Sequence, residues 1–268
     1  MTEEEKAEEQ AVQNASKLTA TTVYEVIRRS GDEELERSNG SLFWSGVSAG
    51  IVISFSVLAE AIFRTYLPET NYSYLIENLG YSLGFVVVII GRMQLFTENT
   101  ITTVLPFLQA PSWRIFNRTI VLWTIVLLAN VIGAFAIATF YAYSGAISAD
   151  ILPALEELSR HATGMPASES FARAIPAGTL IAAIVWMLPE AGAASVTIIV
   201  MFTWLIAAGD FTHIVAGSVE MAYLMVTSGL GLCQAMFGFF LPVLAGNVVG
   251  GTAIFAMLAW GQVRRDID

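Results

Sequence analysis

Two ten-residue stretches carry most of the chemistry that this chain places inside hydrophobic segments. They are Gly91-Arg92-Met93-Gln94-Leu95-Phe96-Thr97-Glu98-Asn99-Thr100 and Gly209-Asp210-Phe211-Thr212-His213-Ile214-Val215-Ala216-Gly217-Ser218. Lipid supplies no hydrogen bonds, so polar side chains and irregular backbone persist at membrane depth only inside protein or along an aqueous path. The two stretches therefore predict a pore or a transport site. An unpaired charge at the centre of a spanning helix costs about 2.5–3.5 kcal/mol on insertion scales. Arg92 is thus expected to pair with Glu98, Asp210 or both, its planar fork serving two carboxylates. Such a charge network acts either as a structural bridge fixing the two loops or as a gate. His213, beside Asp210, is either a hydrogen-bonded structural residue or a donor to a passing anion.

The surrounding composition sets the class. Of 268 residues, 55% are hydrophobic and 13% charged, with a mean hydropathy of +0.64, which points to a polytopic membrane protein rather than a soluble enzyme. The formal charge of −10 reflects acids crowded into the N-terminal tail (Glu3, Glu4, Glu5, Glu8, Glu9) and Asp32 to Glu36, a solvated surface with no nucleic-acid footprint. Cys233 is the only cysteine and there are two histidines, so neither an intrachain disulfide nor a Cys/His metal cluster can be built. No Gly-rich phosphate loop or nucleophile with a positioned base is present, so no cofactor is expected and covalent catalysis is disfavoured. The acidic N-terminus lacks the basic start and apolar core of a cleavable signal peptide.

Six hydrophobic blocks, at 42–63, 79–107, 115–141, 172–188, 195–226 and 230–260, each approach or exceed the ~20 residues that a crossing helix needs. They follow an acidic, cytoplasmic, partly helical segment, 1–40. The spanning domain takes 41–262 and a cytoplasmic tail 263–268. The longest hydrophilic connection, 144–170, contains a short surface helix around 152–158. With the N-terminus inside, Lys6, Lys17, Arg28, Arg29, Arg37, Arg114, Arg118, Arg264 and Arg265 are cytoplasmic and only Arg64, Arg160 and Arg173 are external, so both termini are expected inside. Trp44, Trp113 and Trp260 fall near the inner ends of their blocks, where indole favours the headgroup layer. Glu60 and Arg64, four apart, are expected to pair on one helix face. Glu220 either joins the central network or snorkels outward, and Met93, Met221 and Met225 read as packing residues.

The halves echo one another. Asn130-Val131-Ile132-Gly133 recurs as Asn247-Val248-Val249-Gly250, and the polar second block has its counterpart in the polar fifth. Three spans per half, an odd number, invert the second copy, and inverted repeats set two broken helices face to face near the midplane. Asn130 and Asn247 serve either close helix packing or transport itself.

Leu95-Phe96-Thr97, Phe211-Thr212-His213, Val185-Trp186-Met187 and Gly246-Asn247-Val248-Val249-Gly250-Gly251, in this order over about residues 40–262, together resemble the formate/nitrite transporter family. The surroundings look closest to its divergent YfdC-like branch. The resemblance implies an all-α membrane protein, with six helices in an aquaporin-like inverted repeat whose second and fifth helices are broken. It further implies a homo-pentamer in the cell (inner) membrane with one anion path per protomer. By the same resemblance Thr97 is the loop threonine and His213 the central histidine. Tyr81 and Ile206 form one constriction, and Phe85 lies near the other.

Departures qualify the likeness. Asparagines that line the family's pore align with Gly178 and Gly217 here, while Arg92, Glu98 and Asp210 are added charges. Two functions of different class remain open. One is a passive or proton-coupled channel for a small monovalent anion or its weak acid, restricted by the charge network; the other is a non-conducting membrane scaffold with an occluded pore.

Overall fold

The computed structural model describes residues 18–266, so the acidic extreme N-terminus lies outside it. The described chain is helical, without strands, and its elements are α1 (Ala20–Glu36), α2 (Asn39–Val52), α3 (Ser54–Tyr66), α4 (Ser73–Glu77), α5 (Ser82–Ile90), α6 (Phe96–Thr102), α7 (Val104–Gln109), α8 (Trp113–Tyr143), α9 (Leu152–Thr163), α10 (Ala167–Ala191), α11 (Ser195–Ala208), α12 (Ile214–Thr227) and α13 (Gln234–Val263). Hydroxyl caps begin several of them. Thr19, Ser38 and Ser112 accept from the backbone N–H of Thr22, Ser41 and Ile115, which satisfies donors that a helix start leaves free. The surface helix expected near 152–158 is α9.

Among the described residues, five helical runs are long and apolar enough to cross a membrane: Asn39–Tyr66, Ser73–Ile90, Trp113–Tyr143, Ala167–Ala208 and Gln234–Val263. The six blocks read from sequence map onto these runs with one difference. Blocks four and five join through a 3-10 turn at Gly192–Ala194 into the 42-residue run Ala167–Ala208, and the fifth block then breaks before α12. At 1.5 Å per residue such a run is roughly 63 Å long, about twice a hydrocarbon core. It does not run straight: Gly192 adopts φ +47°, and α10 and α11 pack against each other as a hairpin.

Two helix pairs, α2 with α8 and α10 with α13, form the frame. They meet through equivalent glycines: a Cβ on Gly50 would stand 2.1 Å from the carbonyl oxygen of Asn130, and one on Gly178 would stand 2.3 Å from that of Asn247. Only a residue without a side chain allows this backbone approach. Gly178 is thus a helix-crossing position, with no room for the pore-lining side chain its alignment suggested.

The same frame holds the two breaks. After α5 the chain is non-helical until Leu95, and after α11 until His213. Arg92 and Asp210 take the same left-handed turn, at φ 51° and 55°. The Asn130 amide donates to the carbonyls of Gly46 and Gln94 at 2.8 and 2.9 Å, and its oxygen accepts from the N–H of Phe96 at 3.0 Å. The Asn247 amide donates to Ala174 and Thr212 at 2.8 and 3.0 Å and accepts from Ile214 at 2.8 Å. Both side chains are fully buried. Each asparagine therefore clamps the backbone of one broken helix to a neighbouring span, and the repeat is visible atom for atom. Of the two roles left open for these residues, the structure supports packing with a definite purpose.

Removing either clamp orphans an N–H and a C=O of the break, at about 1–3 kcal/mol each. Asn130→Ala and Asn247→Ala are each expected to destabilise the protein by about 2–6 kcal/mol, seen as a lowered thermal transition in detergent. A transition indistinguishable from that of the unaltered protein would remove the clamp from the account.

Candidate functional site

The breaks meet at one hydrogen bond. Thr97, in the first turn of α6, lies 2.8 Å through Oγ1 from His213 Nε2, and both side chains are buried. His213 is also the N-cap of α12: its Nδ1 accepts from the N–H of Ala216 at 3.3 Å. Because Nδ1 is an acceptor, the proton of the neutral ring sits on Nε2 and is donated to Thr97. Phe85 covers the ring edge-on, with centroids 5.0 Å apart, and Tyr81 packs on Phe85 at 5.2 Å. Ile206 is fully buried near the second break. Of the residues expected around the histidine, Phe85 touches its ring and Tyr81 touches Phe85. Leu95 occupies, in the first break, the place that His213 takes in the second, and sequence reasoning passed it over.

A cavity opens on either side of this pair. On the side of α1, about 300 Å³ is lined by Ser30, Glu34, Arg92, Gln94, Leu95 and Glu98 among others. On the opposite side, beneath α9, about 60 Å³ is lined by Glu60, Tyr81, His161, Asp210, His213 and Glu220 among others. Buried Leu95, Thr97 and His213 stand between the two. The α1 side chains reach the first break directly: Gln94 donates to Glu34 at 2.7 Å and accepts from the Asn99 amide at 3.1 Å. Tyr24 secures α1 by donating to Leu105 and Gln109, and burial pushes its phenol up to about 12. The Arg28 and Arg29 guanidinium groups on the exposed face hold the Glu25 carboxyl down at about 2. That contribution is in place above the ordinary carboxylate range and is lost as pH falls through the lowered value; solvent keeps it small.

The three added charges do not form one network. Asp210 faces the α9 side, where Arg173 Nη1 lies 2.6 Å and His161 Nε2 2.8 Å from its carboxylate. Arg92 is exposed in the α1-side cavity with Glu98, and among the described residues it makes no ion pair within 4.0 Å. The expectation of a bridge between Arg92 and Asp210 is corrected: the inverted repeat makes them equivalents, and equivalent positions of an inverted pair face opposite sides of the membrane. The expected Glu60–Arg64 pair is corrected as well. Arg64 turns to Glu77 at 2.8 Å and Glu157 at 3.4 Å, on α4 and α9. Gly217 lies under a phenyl ring: a Cβ there would stand 2.3 Å from Phe239. Its α12 neighbour Glu220 lines the α9-side cavity and does not snorkel outward.

Sequence reasoning missed Arg173 and His161 as partners of Asp210. It also missed Glu60 as a cavity residue and Gln94 as the link to α1. Arg173 also pairs with Glu169, one turn earlier on α10, at 2.8 Å.

Comparisons agree with this geometry. The formate/nitrite transporter family model matches residues 21–261. Inner membrane protein YfdC of Escherichia coli (strain K12) is 44% identical over 249 residues, covering 93% of this chain and 80% of that protein. Formate-nitrite transporter 3 of Toxoplasma gondii is 25% identical over 185 residues, covering 67% of this chain but 37% of that one. Among solved structures, a pentameric formate channel with formate bound superposes with a TM-score of 0.70 at 20% identity, over 84% of this chain and 98% of that one. An FNT family ion channel gives 0.72 at 19% identity, over 91% and 96%. With the paired helix breaks in place and almost the whole chain matched, this protein belongs to the formate/nitrite transporter family.

Proposed function

We propose that each protomer conducts a small monovalent anion, or its conjugate weak acid, between the two cavities past Thr97 and His213. The observation that carries this reading is the single hydrogen bond between the two helix breaks, at the buried wall separating two polar cavities. An arriving anion replaces Thr97 as the acceptor of the His213 Nε2–H, one hydrogen bond for another, while the freed threonine hydroxyl donates to it. The α12 N-terminus adds its positive dipole end. Phe85, Leu95 and Ile206 keep the passage narrow and dry. Arg92, exposed in the larger cavity, supplies positive potential there, and Glu98 tempers it.

Six crossings follow if the α10–α11 hairpin counts as two and each broken helix as one. With arginines weighted to the α1 side, that cavity and both termini are cytoplasmic, in an inner membrane. Residues 1–40 then form an acidic cytoplasmic segment, 41–262 the spanning domain and 263–268 a cytoplasmic tail. The occluded-scaffold reading draws on one observation, the closure of the wall by buried side chains, and the transport assay separates it.

Proteoliposomes containing the protein are expected to take up at least one of formate, nitrite, acetate or lactate faster than empty liposomes; uptake of none supports the scaffold. His213→Asn is expected to cut uptake by at least about tenfold, the worth of one hydrogen bond of ~1.4 kcal/mol to the permeant, with assembly intact. Undiminished uptake in that variant would take His213 out of the mechanism. A homo-pentamer is expected in native mass spectra from mild detergent, and a monomer or dimer contradicts it.

A further inference from the structure

The smaller cavity holds polar groups that the transport path does not use. Glu60, on α3, is 9% exposed and Tyr81 is 7% exposed, and both line this cavity together with Glu220 of α12. Among the described residues none of the three side chains makes a hydrogen bond, and neither glutamate has a cation within 4.0 Å. Nor are they sealed in dry protein. The one sealed, unpartnered side-chain polar atom among the described residues is Ser170 Oγ, so these carboxylates and the phenol open onto the cavity space.

None of the neighbouring cations pairs with these carboxylates directly. Arg64, one turn beyond Glu60, is taken by Glu77 and Glu157. Arg173 and His161 are taken by Asp210, which adds a third carboxylate to the same wall. His213 has both ring nitrogens engaged, with Thr97 and Ala216. Two carboxylates opening into one small cavity without a counterion cannot both stay ionised at low cost. No group of three or more acids, histidines or cysteines among the described residues is spaced to hold a metal ion. The volume, about 60 Å³, is that of about two waters at ~30 Å³ each. Water carrying a proton fits both the volume and the unpaired acceptors.

We infer that Glu60 and Glu220 share one exchangeable proton through water in this cavity, with the Tyr81 hydroxyl as a further partner. The pair is a proton-binding site distinct from His213. Its transport consequence rests on the reading above: a bare anion is repelled by the charged pair, and an anion enters accompanied by the proton that the pair accepts and releases. The proton moves from hydronium of the bulk phase to a glutamate oxygen, leaving water, and from there through water to the permeant anion, each step breaking one O–H bond and forming another.

Infrared difference spectra of the full-length protein in lipid nanodiscs, neutral against strongly alkaline, test the site without requiring transport. The carbonyl stretch of a protonated carboxylic acid is expected at neutral pH. The component due to the pair is expected to change in frequency and intensity in Glu60→Gln and in Glu220→Gln, because the carboxyl that remains has lost the partner with which it shared the proton. Tyr81→Phe keeps both carboxyls and is expected to shift that component, which covers the case of a glutamine variant that fails to fold. Spectra of both glutamine variants that superimpose on those of the unaltered protein overturn the inference. In proteoliposomes loaded with a pH dye, Glu60→Gln/Glu220→Gln is expected to lower the protons carried per anion; unchanged coupling overturns the transport consequence. If the unaltered protein carries no anion, the transport reading fails while the infrared result still decides the site.

Discussion

Everything functional in this fold depends on how backbone groups are satisfied where two helices stop inside the membrane. A broken helix leaves N–H and C=O groups that cost several kcal/mol each in hydrocarbon, and lipid cannot supply partners. Two buried asparagines supply them. Asn130 and Asn247 each donate to two carbonyls and accept from one N–H, joining a span to the loop of its own half. An amide suits this task because it offers both donors and an acceptor in one plane. With the loops fixed in this way, Thr97 and His213 are brought within hydrogen-bond distance at the junction of the repeats.

The clamp also decides where charge is allowed. Inversion turns the Arg92 loop toward the α1-side cavity and the equivalent Asp210 loop toward the α9-side cavity, so Asp210 is paired on its own side by Arg173 and His161 while Arg92 stays exposed on the other. Each cavity is polar, and the wall between them is neutral and buried. His213 serves as cap and donor at once. The Ala216 N–H that its Nδ1 accepts fixes the proton on Nε2, so the helix start sets the direction in which the ring can donate.

Much of this was legible in residue order. Hydrophobic length marked the apolar helical runs, the recurrence of Asn-x-x-Gly pointed to the repeat, and polar residues inside apolar segments marked both breaks. Thr97 and His213 were singled out through a family likeness and stand hydrogen-bonded. Illegible were the side-chain directions. Glu60 and Arg64 sit four apart, the usual spacing of a helical pair, yet tertiary packing sends Arg64 to Glu77 and leaves Glu60 facing a cavity. Arg92 and Asp210 looked like partners because both lie in loops that meet, but inversion points equivalent positions apart. Gly178 and Gly217 read as missing pore asparagines. One is a helix crossing and the other is covered by Phe239, contacts made by residues distant in sequence. The run Ala167–Ala208 showed as two blocks because Pro189 and Gly192 interrupt its apolar pattern, and the hairpin forms there.

The most direct test of the clamped junction is the tautomer of His213. Nitrogen NMR of selectively labelled histidine in the full-length protein, assigned with His213→Asn, distinguishes the two ring protonation patterns. A neutral ring with the proton on Nε2 and a bare Nδ1 is expected, with a through-space contact to Thr97. A neutral ring carrying its proton on Nδ1 would mean that the ring does not cap α12 and does not donate to Thr97, and would contradict the account.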